Sequence, residues 1–292
     1  MAIKRISIIL YGLIISVSQL ACQPGQDNGS GQSSEGMKLE INPPVEPVVC
    51  DPFSNDELVY RQNGLTGKFY YLTDDMPRYN RSSDYINHGV LVDRVTLFLS
   101  RLFVPTRAFD LGFTTQEGVT LKTNTGDTLY EYFGLQLEST LMLNASDTHI
   151  GDYQFAILSD DGATLSLQPD SNVPFQTLIE NENDHPTRFQ VATQAVHFDR
   201  TTRLPMKLQY YQGPRMHISM VLMWRPWPTN PADVMDPLNG YTTNTDFFDS
   251  TQVPSVPQSK YNELLGRGWK PLDTKNFLLR EIENPCAVDD MF

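Results

Sequence analysis

Residues 151–165 read GDYQFAILSDDGATL and carry the clearest secondary-structure signal in the chain. Tyr153, Phe155 and Ile157 alternate with their neighbours at the period of two that is typical of a β-strand. Asp161-Gly162 predicts a tight turn, because Asp and Gly tolerate the backbone angles that such turns need. The alternation resumes beyond the turn. The stretch therefore predicts two antiparallel strands joined as a hairpin.

The same alternation recurs on both sides of this stretch, in residues 133–138, 204–211 and 216–224. Gln212-Gly213-Pro214 predicts a turn between the last two of these runs. Few long helical patterns compete with them. The sequence therefore predicts an all-β protein, with an antiparallel β-sandwich or barrel over residues 64–227.

Composition and charge restrict the class of function. The chain has 292 residues, 40 % of them hydrophobic, which is enough for a sizeable core. Its net charge of −13 disfavours nucleic-acid binding. The five histidines show no metal-binding spacing, and no nucleophile elbow, P-loop or dinucleotide motif occurs. We therefore expect no enzyme. Glycosidase chemistry stays an alternative, because it needs only two carboxyl groups at a set separation.

The first 21 residues have the pattern of an export signal, with Lys4 and Arg5 before a short apolar run. Leu20-Ala21-Cys22 resembles a bacterial lipobox, which implies a lipid on Cys22 and an anchor in the cell envelope membrane. Gln23, rather than Asp, follows the cysteine, and this resembles the sorting default for the outer membrane. The alternative is an ordinary cleaved signal peptide.

Composition changes divide the remaining chain. Residues 23–36 are almost wholly polar and predict a flexible tether. We expect a signal peptide over residues 1–21 and a linker over residues 22–49. A lead-in segment over residues 50–63 and a β domain over residues 64–227 should follow. We expect residues 228–292 to form an irregular C-terminal extension that packs on or near the domain. Within the extension, residues 260–266 suggest a short helix.

Three motifs in the same order resemble the PA14 domain family. GLTGKFYY at residues 64–71 is similar to the family's opening strand, and residues 151–165 are similar to its central hairpin. LPMKLQYY at residues 204–211 is similar to a late strand of the family. The resemblance covers about 160 residues and implies a PA14-like all-β domain.

In carbohydrate-binding PA14 lectins, a paired-aspartate turn like Asp160-Asp161 holds Ca²⁺, which contacts sugar hydroxyls. The resemblance thus implies a Ca²⁺ site at Asp160 and Asp161. Adjacent carboxylates suit this cation, because it prefers several oxygen ligands. The loop at residues 180–185, ENENDH, matches no family motif, but Asn183 and Asp184 would add oxygen ligands. The alternative is that the two aspartates only shape the turn.

Aromatic side chains are candidates for stacking on a sugar. We expect Tyr211 and Trp227 to be exposed for this purpose, whereas Trp224 shares the register of core residues. The sequence thus predicts a non-catalytic, lipid-anchored envelope protein that binds a glycan or envelope polysaccharide, with Ca²⁺ as the candidate cofactor. The alternative is a structural or assembly lipoprotein that binds an envelope protein.

If lipid occupies Cys22, two of the three cysteines remain, Cys50 and Cys286. An exported chain meets an oxidising compartment, which favours a disulfide between them. Such a bond would join the two flanks of the β domain. The alternative is two free thiols.

Overall fold

Seventeen β-strands and two α-helices form the part of the chain that the computed structural model describes, residues 46–53, 60–214, 217–279 and 282–287. The early strands are β1 Val48–Cys50, β2 Leu65–Tyr71, β3 Val90–Leu91, β4 Thr96–Leu99, β5 Phe103–Ala108 and β6 Phe133–Leu141. The middle strands are β7 Gly151–Asp160, β8 Ala163–Leu167, β9 Gln176–Asn181, β10 Arg188–Val191, β11 Val196–Phe198, β12 Leu204–Gln212 and β13 His217–Pro226. The late strands are β14 Phe248–Asp249, β15 Val256–Pro257, β16 Lys270–Pro271 and β17 Phe277–Leu278.

The two helices are α1, Ser82–His88, and α2, Ser259–Gly266. Short 3-10 helices cover Pro231–Asp233 and Thr274–Asn276. Neither α-helix of the described ranges is long and apolar enough to cross a membrane. The predicted signal peptide and Cys22 lie outside the described residues. The described chain begins just before β1, whose first residue, Val48, falls within the predicted linker.

Two sheets face each other. Sheet A has the order β1-β4-β2-β6-β12-β8-β9, with β3 also on β2 and β17 on β6. Sheet B has the order β10-β7-β13-β16, with β11 also on β7 and β5 on β13. Pairing is antiparallel except for β1 against β4, and β14 pairs with β15 apart from both sheets.

The main core lies between the sheets, where the alternation seen in the sequence places one apolar face of each strand. Leu135 and Leu208 of sheet A are fully buried there with Phe155, Leu222 and Trp224 of sheet B. Burial of these side chains stabilises the sandwich by roughly 1.5–3 kcal/mol each. The prediction of an all-β antiparallel sandwich is confirmed.

The predicted hairpin at Asp161-Gly162 is wrong, because the two flanking strands belong to different sheets. β7 pairs with β10, β11 and β13 in sheet B, whereas β8 pairs with β12 and β9 in sheet A. The turn thus carries the chain from one sheet to the other. Sequence alternation is the same for both connections, so it could not distinguish them.

The segment after β13 covers the outer face of sheet B. Val221 and Met223 of β13 are buried there against Phe248, Leu264 and Trp269. The segment also adds strands, since β16 pairs with β13 and β17 pairs with β6. Residues 260–266 are helical within α2, as the sequence suggests.

A disulfide joins Cys50 to Cys286, with 5.7 Å between the Cα atoms. The prediction of this bond is confirmed. Cys50 ends β1 at the edge of sheet A, and Cys286 follows the residues that pair with the chain at Arg61 and Gln62. The bond therefore closes a loop of 236 residues beside the core.

Candidate functional site

Three connections between the sheets meet at one end of the sandwich. They follow β7, β9 and β12, and each leads from one sheet into the other. The Asp161 side chain joins them, because its Oδ1 accepts a hydrogen bond from the backbone N–H of His185 at 3.0 Å. Its Oδ2 accepts one from the backbone N–H of Gly213 at 2.8 Å. We call this place the loop-junction site and define it by Asp160, Asp161, Asp184 and Gly213.

The two adjacent aspartates are buried despite their charge. Asp160 is 6 % exposed and Asp161 is 5 % exposed, and the peptide bond between them is cis. Burial raises the pKa of Asp160 to about 8, and the charge of Asp161 adds to this rise. Burial likewise raises the pKa of Asp161 to about 6, although the N–H groups of Gly213 and His185 favour its ionised form. The pair is therefore costly to ionise without a nearby cation.

The Asp184 carboxylate approaches the pair from the loop after β9. A methyl group built on Gly213 would lie 3.1 Å from both Asp161 Oδ2 and Asp184 Oδ1. Glycine therefore keeps open a space that carboxylate oxygens face from two sides. The Tyr211 hydroxyl donates to Asp184 Oδ1 at 2.8 Å and fixes this orientation.

Asn183 lies in the same loop with a left-handed backbone, φ 77°. Its side-chain oxygen accepts a hydrogen bond from Asn80 Nδ2 at 3.2 Å, and its backbone N–H donates to Asn80 O at 3.0 Å. The predicted ligand Asn183 thus binds the segment before α1. Of the four predicted metal ligands, the structure brings the carboxylates of Asp161 and Asp184 to the same space at Gly213, and Asp160 adjoins Asp161 along the chain.

Glu182 links the loop after β9 to the first residue of α1. Its carboxylate is 5 % exposed and accepts hydrogen bonds from the Ser82 backbone N–H, the Ser82 hydroxyl and the Thr164 hydroxyl. Arg188 Nη2 donates to the Glu182 carbonyl at 2.6 Å. The sequence indicated only an acidic loop here. Nothing in it distinguished this buried acid from its exposed neighbours.

Tyr85 of α1 packs against Tyr211 next to the loop-junction site. Its ring stacks on Tyr211 with centroids 4.7 Å apart, and its buried hydroxyl has no hydrogen-bond partner within the described chain. Burial raises the pKa of Tyr85, and the charges of Asp184 and Asp161 raise it further. This phenol therefore stays neutral and supplies a polar atom near the carboxylates.

The predictions for exposed aromatic residues need correction. Tyr211 is fully buried in its β-strand, so its ring offers no face to a sugar, and its hydroxyl serves Asp184 instead. Trp227 is partly exposed, but its backbone N–H donates to Asp152 O at the far end of β7. Eight residues of strand span about 27 Å, so Trp227 takes no part in the loop-junction site. Trp224 is buried in the core, as expected.

Within the described ranges, no group of three or more His, Cys, Asp or Glu side chains is arranged to hold a metal ion. The donors at the loop-junction site are the two buried carboxylates, the Asp184 carboxylate and nearby backbone and phenol oxygens. All are oxygen atoms, the type that Ca²⁺ prefers.

No protein-family model and no curated protein sequence match this chain. Comparison with solved structures finds the "PA14 sugar-binding domain from RTX adhesin", at 15 % identity and a TM-score of 0.35 over 56 % of this chain and 90 % of that one. The PA14 domain of the MpAFP antifreeze protein matches at 18 % identity and a TM-score of 0.38, over 66 % of this chain and 92 % of that one.

The A domain of Epithelial Adhesin 9 from Candida glabrata, solved with Galb1-3GlcNAc, also matches. Its identity is 11 % and its TM-score 0.37, over 60 % of this chain and 91 % of that one. The matched structures thus include PA14 domains, the family that the three sequence motifs resemble.

Proposed function

We propose that this protein binds carbohydrate through a Ca²⁺ ion held at the loop-junction site and that it has no catalytic activity. The observation that carries the proposal is the buried Asp160-Asp161 pair, fixed where three inter-sheet loops meet. Two carboxylates with raised pKa values, removed from water and adjacent in sequence, fit the charge of a divalent cation. The resemblance to PA14 lectins and the sugar-binding proteins among the matched structures support this proposal.

In this site Asp160 and Asp161 would hold the cation, and Asp184 would add an oxygen ligand from the opposite side. A bound Ca²⁺ would offer open coordination positions to sugar hydroxyls. Gly213 keeps the space between the carboxylates free, since any side chain there would contact both Asp161 and Asp184. Tyr211 keeps the Asp184 carboxylate oriented towards this space. Asn183, in the same loop as Asp184, would add an amide oxygen as a further ligand.

The test is calorimetric titration of Ca²⁺ into the wild type and into the Asp160→Asn variant, followed by a glycan array with and without chelator. We expect the wild type to bind Ca²⁺ with a dissociation constant on the order of 0.1–1 mM, typical of extracellular sites. Asp160→Asn keeps the shape of the side chain but removes its charge. It is therefore expected to weaken Ca²⁺ binding at least tenfold and to abolish glycan retention.

Asp152→Asn is the matched control, because Asp152 is an exposed aspartate at the other end of the same strand. It should bind Ca²⁺ and glycan like the wild type. Glycan retention that survives chelator or Asp160→Asn would contradict the proposal. Retention of an envelope protein, with no dependence on sugar or Ca²⁺, would instead favour the assembly role.

We further propose that lipid on Cys22 anchors the protein in the cell envelope, at the outer membrane. The support is the lipobox-like Leu20-Ala21-Cys22 and the polar tether after it. In an envelope-bearing bacterial host, Cys22→Ser is expected to move the protein from the membrane fraction to the soluble fraction. Ser30→Ala, a change in the tether that leaves the lipobox and the Cys50–Cys286 bond intact, should leave it in the membrane fraction. Membrane retention of Cys22→Ser would refute the anchor.

A further inference from the structure

A cavity lies beside the loop-junction site. It is a cleft of about 520 Å³, within the size range of ligand-binding pockets. The turn after β2 forms one wall, and the loop before β6 forms the other. We call it the acidic cleft and define it by Thr73, Asp75, Arg78, Asn124, Asp127 and Tyr132 among its lining residues.

Backbone hydrogen bonds connect the acidic cleft to the loop-junction site through two residues. The Gly213 N–H donates to Asp161, and the Gly213 carbonyl accepts from the Tyr132 N–H at 3.1 Å. The Tyr132 carbonyl in turn accepts from the Leu72 N–H at 3.0 Å, which ties down the opposite wall. A ligand longer than one sugar residue, held at Asp161, therefore has the cleft directly beside it.

The lining of the acidic cleft suits a ligand rich in hydroxyl groups. Thr73, Thr123, Thr125, Thr128 and Asn124 contribute hydroxyl and amide groups. The Arg78 guanidinium lies 4.2 Å from the centre of the Tyr132 ring and also donates to the Thr73 carbonyl at 3.1 Å. These contacts hold the cleft open between its two walls. Its surface therefore offers hydroxyl, amide and charged hydrogen-bonding groups from both walls, which suit the hydroxyl groups of a sugar.

The charge of the cleft is one-sided. Among the described lining residues, the carboxylates of Asp74, Asp75 and Asp127 accompany the guanidinium of Arg78. The Asp74 carboxylate accepts a hydrogen bond from the Arg78 guanidinium at 3.3 Å, so the charge of Arg78 is already paired with a carboxylate of the cleft. The protein as a whole carries −13. An anionic ligand in the cleft would face like charge at short range, which is costly.

We propose that the acidic cleft binds the sugar residues that adjoin the Ca²⁺-held residue of an oligosaccharide, and that its carboxylates select uncharged or amino-bearing glycans over acidic ones. This inference rests on the proposed function, since the first sugar is held at the loop-junction site. It assigns the class of ligand to residues outside that site.

The test is a Ca²⁺-containing array that presents neutral monosaccharides, neutral trisaccharides and the sialylated or uronate-bearing counterparts of the trisaccharides. The wild type is expected to retain neutral trisaccharides at least about tenfold better than either their acidic counterparts or the monosaccharides, a difference that corresponds to 1.4 kcal/mol. In Asp127→Lys, the preference for neutral over acidic trisaccharides should fall severalfold. Asp127 is exposed, so the change leaves the core intact.

Asp170→Lys is the matched control. It makes the same change of charge on an exposed residue of the β8–β9 connection, at the end of β8 remote from Asp161. It should keep the wild-type preference. If Asp127→Lys and Asp170→Lys reduce the preference for neutral over acidic trisaccharides equally, the preference comes from the charge of the whole molecule. That result would overturn the role of the cleft. Equal retention of monosaccharides and trisaccharides would overturn it too.

Failure of the proposed function has a different signature. A wild type that retains no glycan, neutral or acidic, overturns carbohydrate binding and the cleft inference together. A wild type that retains monosaccharides in a Ca²⁺-dependent manner, but gains nothing from longer neutral glycans, overturns the cleft inference alone.

Discussion

The Cys50→Ser/Cys286→Ser double variant is expected to lose about 2–5 kcal/mol of unfolding free energy. The reason is that the disulfide closes a loop of 236 residues, nearly the whole described chain, and so restricts the unfolded state strongly. The double variant also leaves neither partner of the bond behind as a free thiol. For a domain of this size, the loss corresponds to a fall in melting temperature of roughly 4–20 °C.

The melting temperature, followed by circular dichroism in non-reducing buffer, measures this loss. Cys22→Ser is the matched control, because it makes the same substitution and leaves the Cys50–Cys286 bond in place. Reductant should lower the melting temperature of the wild type and leave that of the double variant unchanged. A double variant that melts within 2 °C of the wild type would show that the bond contributes little to stability.

Hydrogen exchange would show where the bond acts. β1 is a strand of three residues at the edge of sheet A, and Asn284 holds the C-terminal residues by donating to the Arg61 carbonyl at 2.7 Å. β1 pairs with one neighbouring strand, β4, and residues 282–287 form no strand of their own. Loss of the bond should therefore increase exchange in these two segments first.

The sequence predicts the central strands because alternate residues of each strand pack in the main core. β7 is buried on both faces, since Ala156 and Leu158 also pack under the C-terminal segment. β6, β7, β8 and β12 show the expected alternation, and the structure places them as strands. The C-terminal segment resisted prediction for a physical reason. The side chains that cover sheet B, among them Phe247, Phe248 and Trp269, lie in an aperiodic stretch, so no period indicates which face they bury.

The residues of the candidate site likewise include some that the sequence could select and some that it could not. Asp160 and Asp161 could be selected from the sequence, since paired aspartates before a glycine are rare and resemble a known motif. Tyr211 looked like a surface aromatic in an alternating strand, yet α1 covers its outer face through Tyr85. Gly213 looked like an ordinary turn residue. Its role depends on Asp161 and Asp184, which reach it only through long-range folding.

The buried carboxylate pair predicts an unusual pH dependence for the Ca²⁺-free protein. Burial raises the pKa of Asp160 to about 8 and that of Asp161 to about 6, both above the ordinary value of 3.8. The folded protein therefore binds these protons more tightly than the unfolded chain does. The stability that follows is fully present below pH 3.8 and is lost as the pH rises through 6 and 8.

The expected effect of Asp160 is on the order of 3 kcal/mol between about pH 5.5 and 8.5, since one unit of pKa corresponds to about 1.4 kcal/mol. Two histidines act in the opposite direction. Burial lowers the pKa values of His185 and His217, so each of these histidines makes the folded protein less stable as the pH falls below about 6.5. The wild-type pH profile is a sum of both effects, and a variant is needed to separate them.

Chemical denaturation of Ca²⁺-free wild type and Asp160→Asn at both pH values isolates the carboxylate. Asparagine does not titrate, so Asp160→Asn should be more stable than the wild type near pH 8.5 and closer to it near pH 5.5. Asp110→Asn, the same change at an exposed aspartate, should follow the wild type at both. Saturating Ca²⁺ should stabilise the wild type more near pH 8.5 than near pH 5.5, because the cation binds the ionised pair. A difference between the wild type and Asp160→Asn that is independent of pH would contradict the raised pKa of Asp160 and, with it, the electrostatic basis of the proposed cation site.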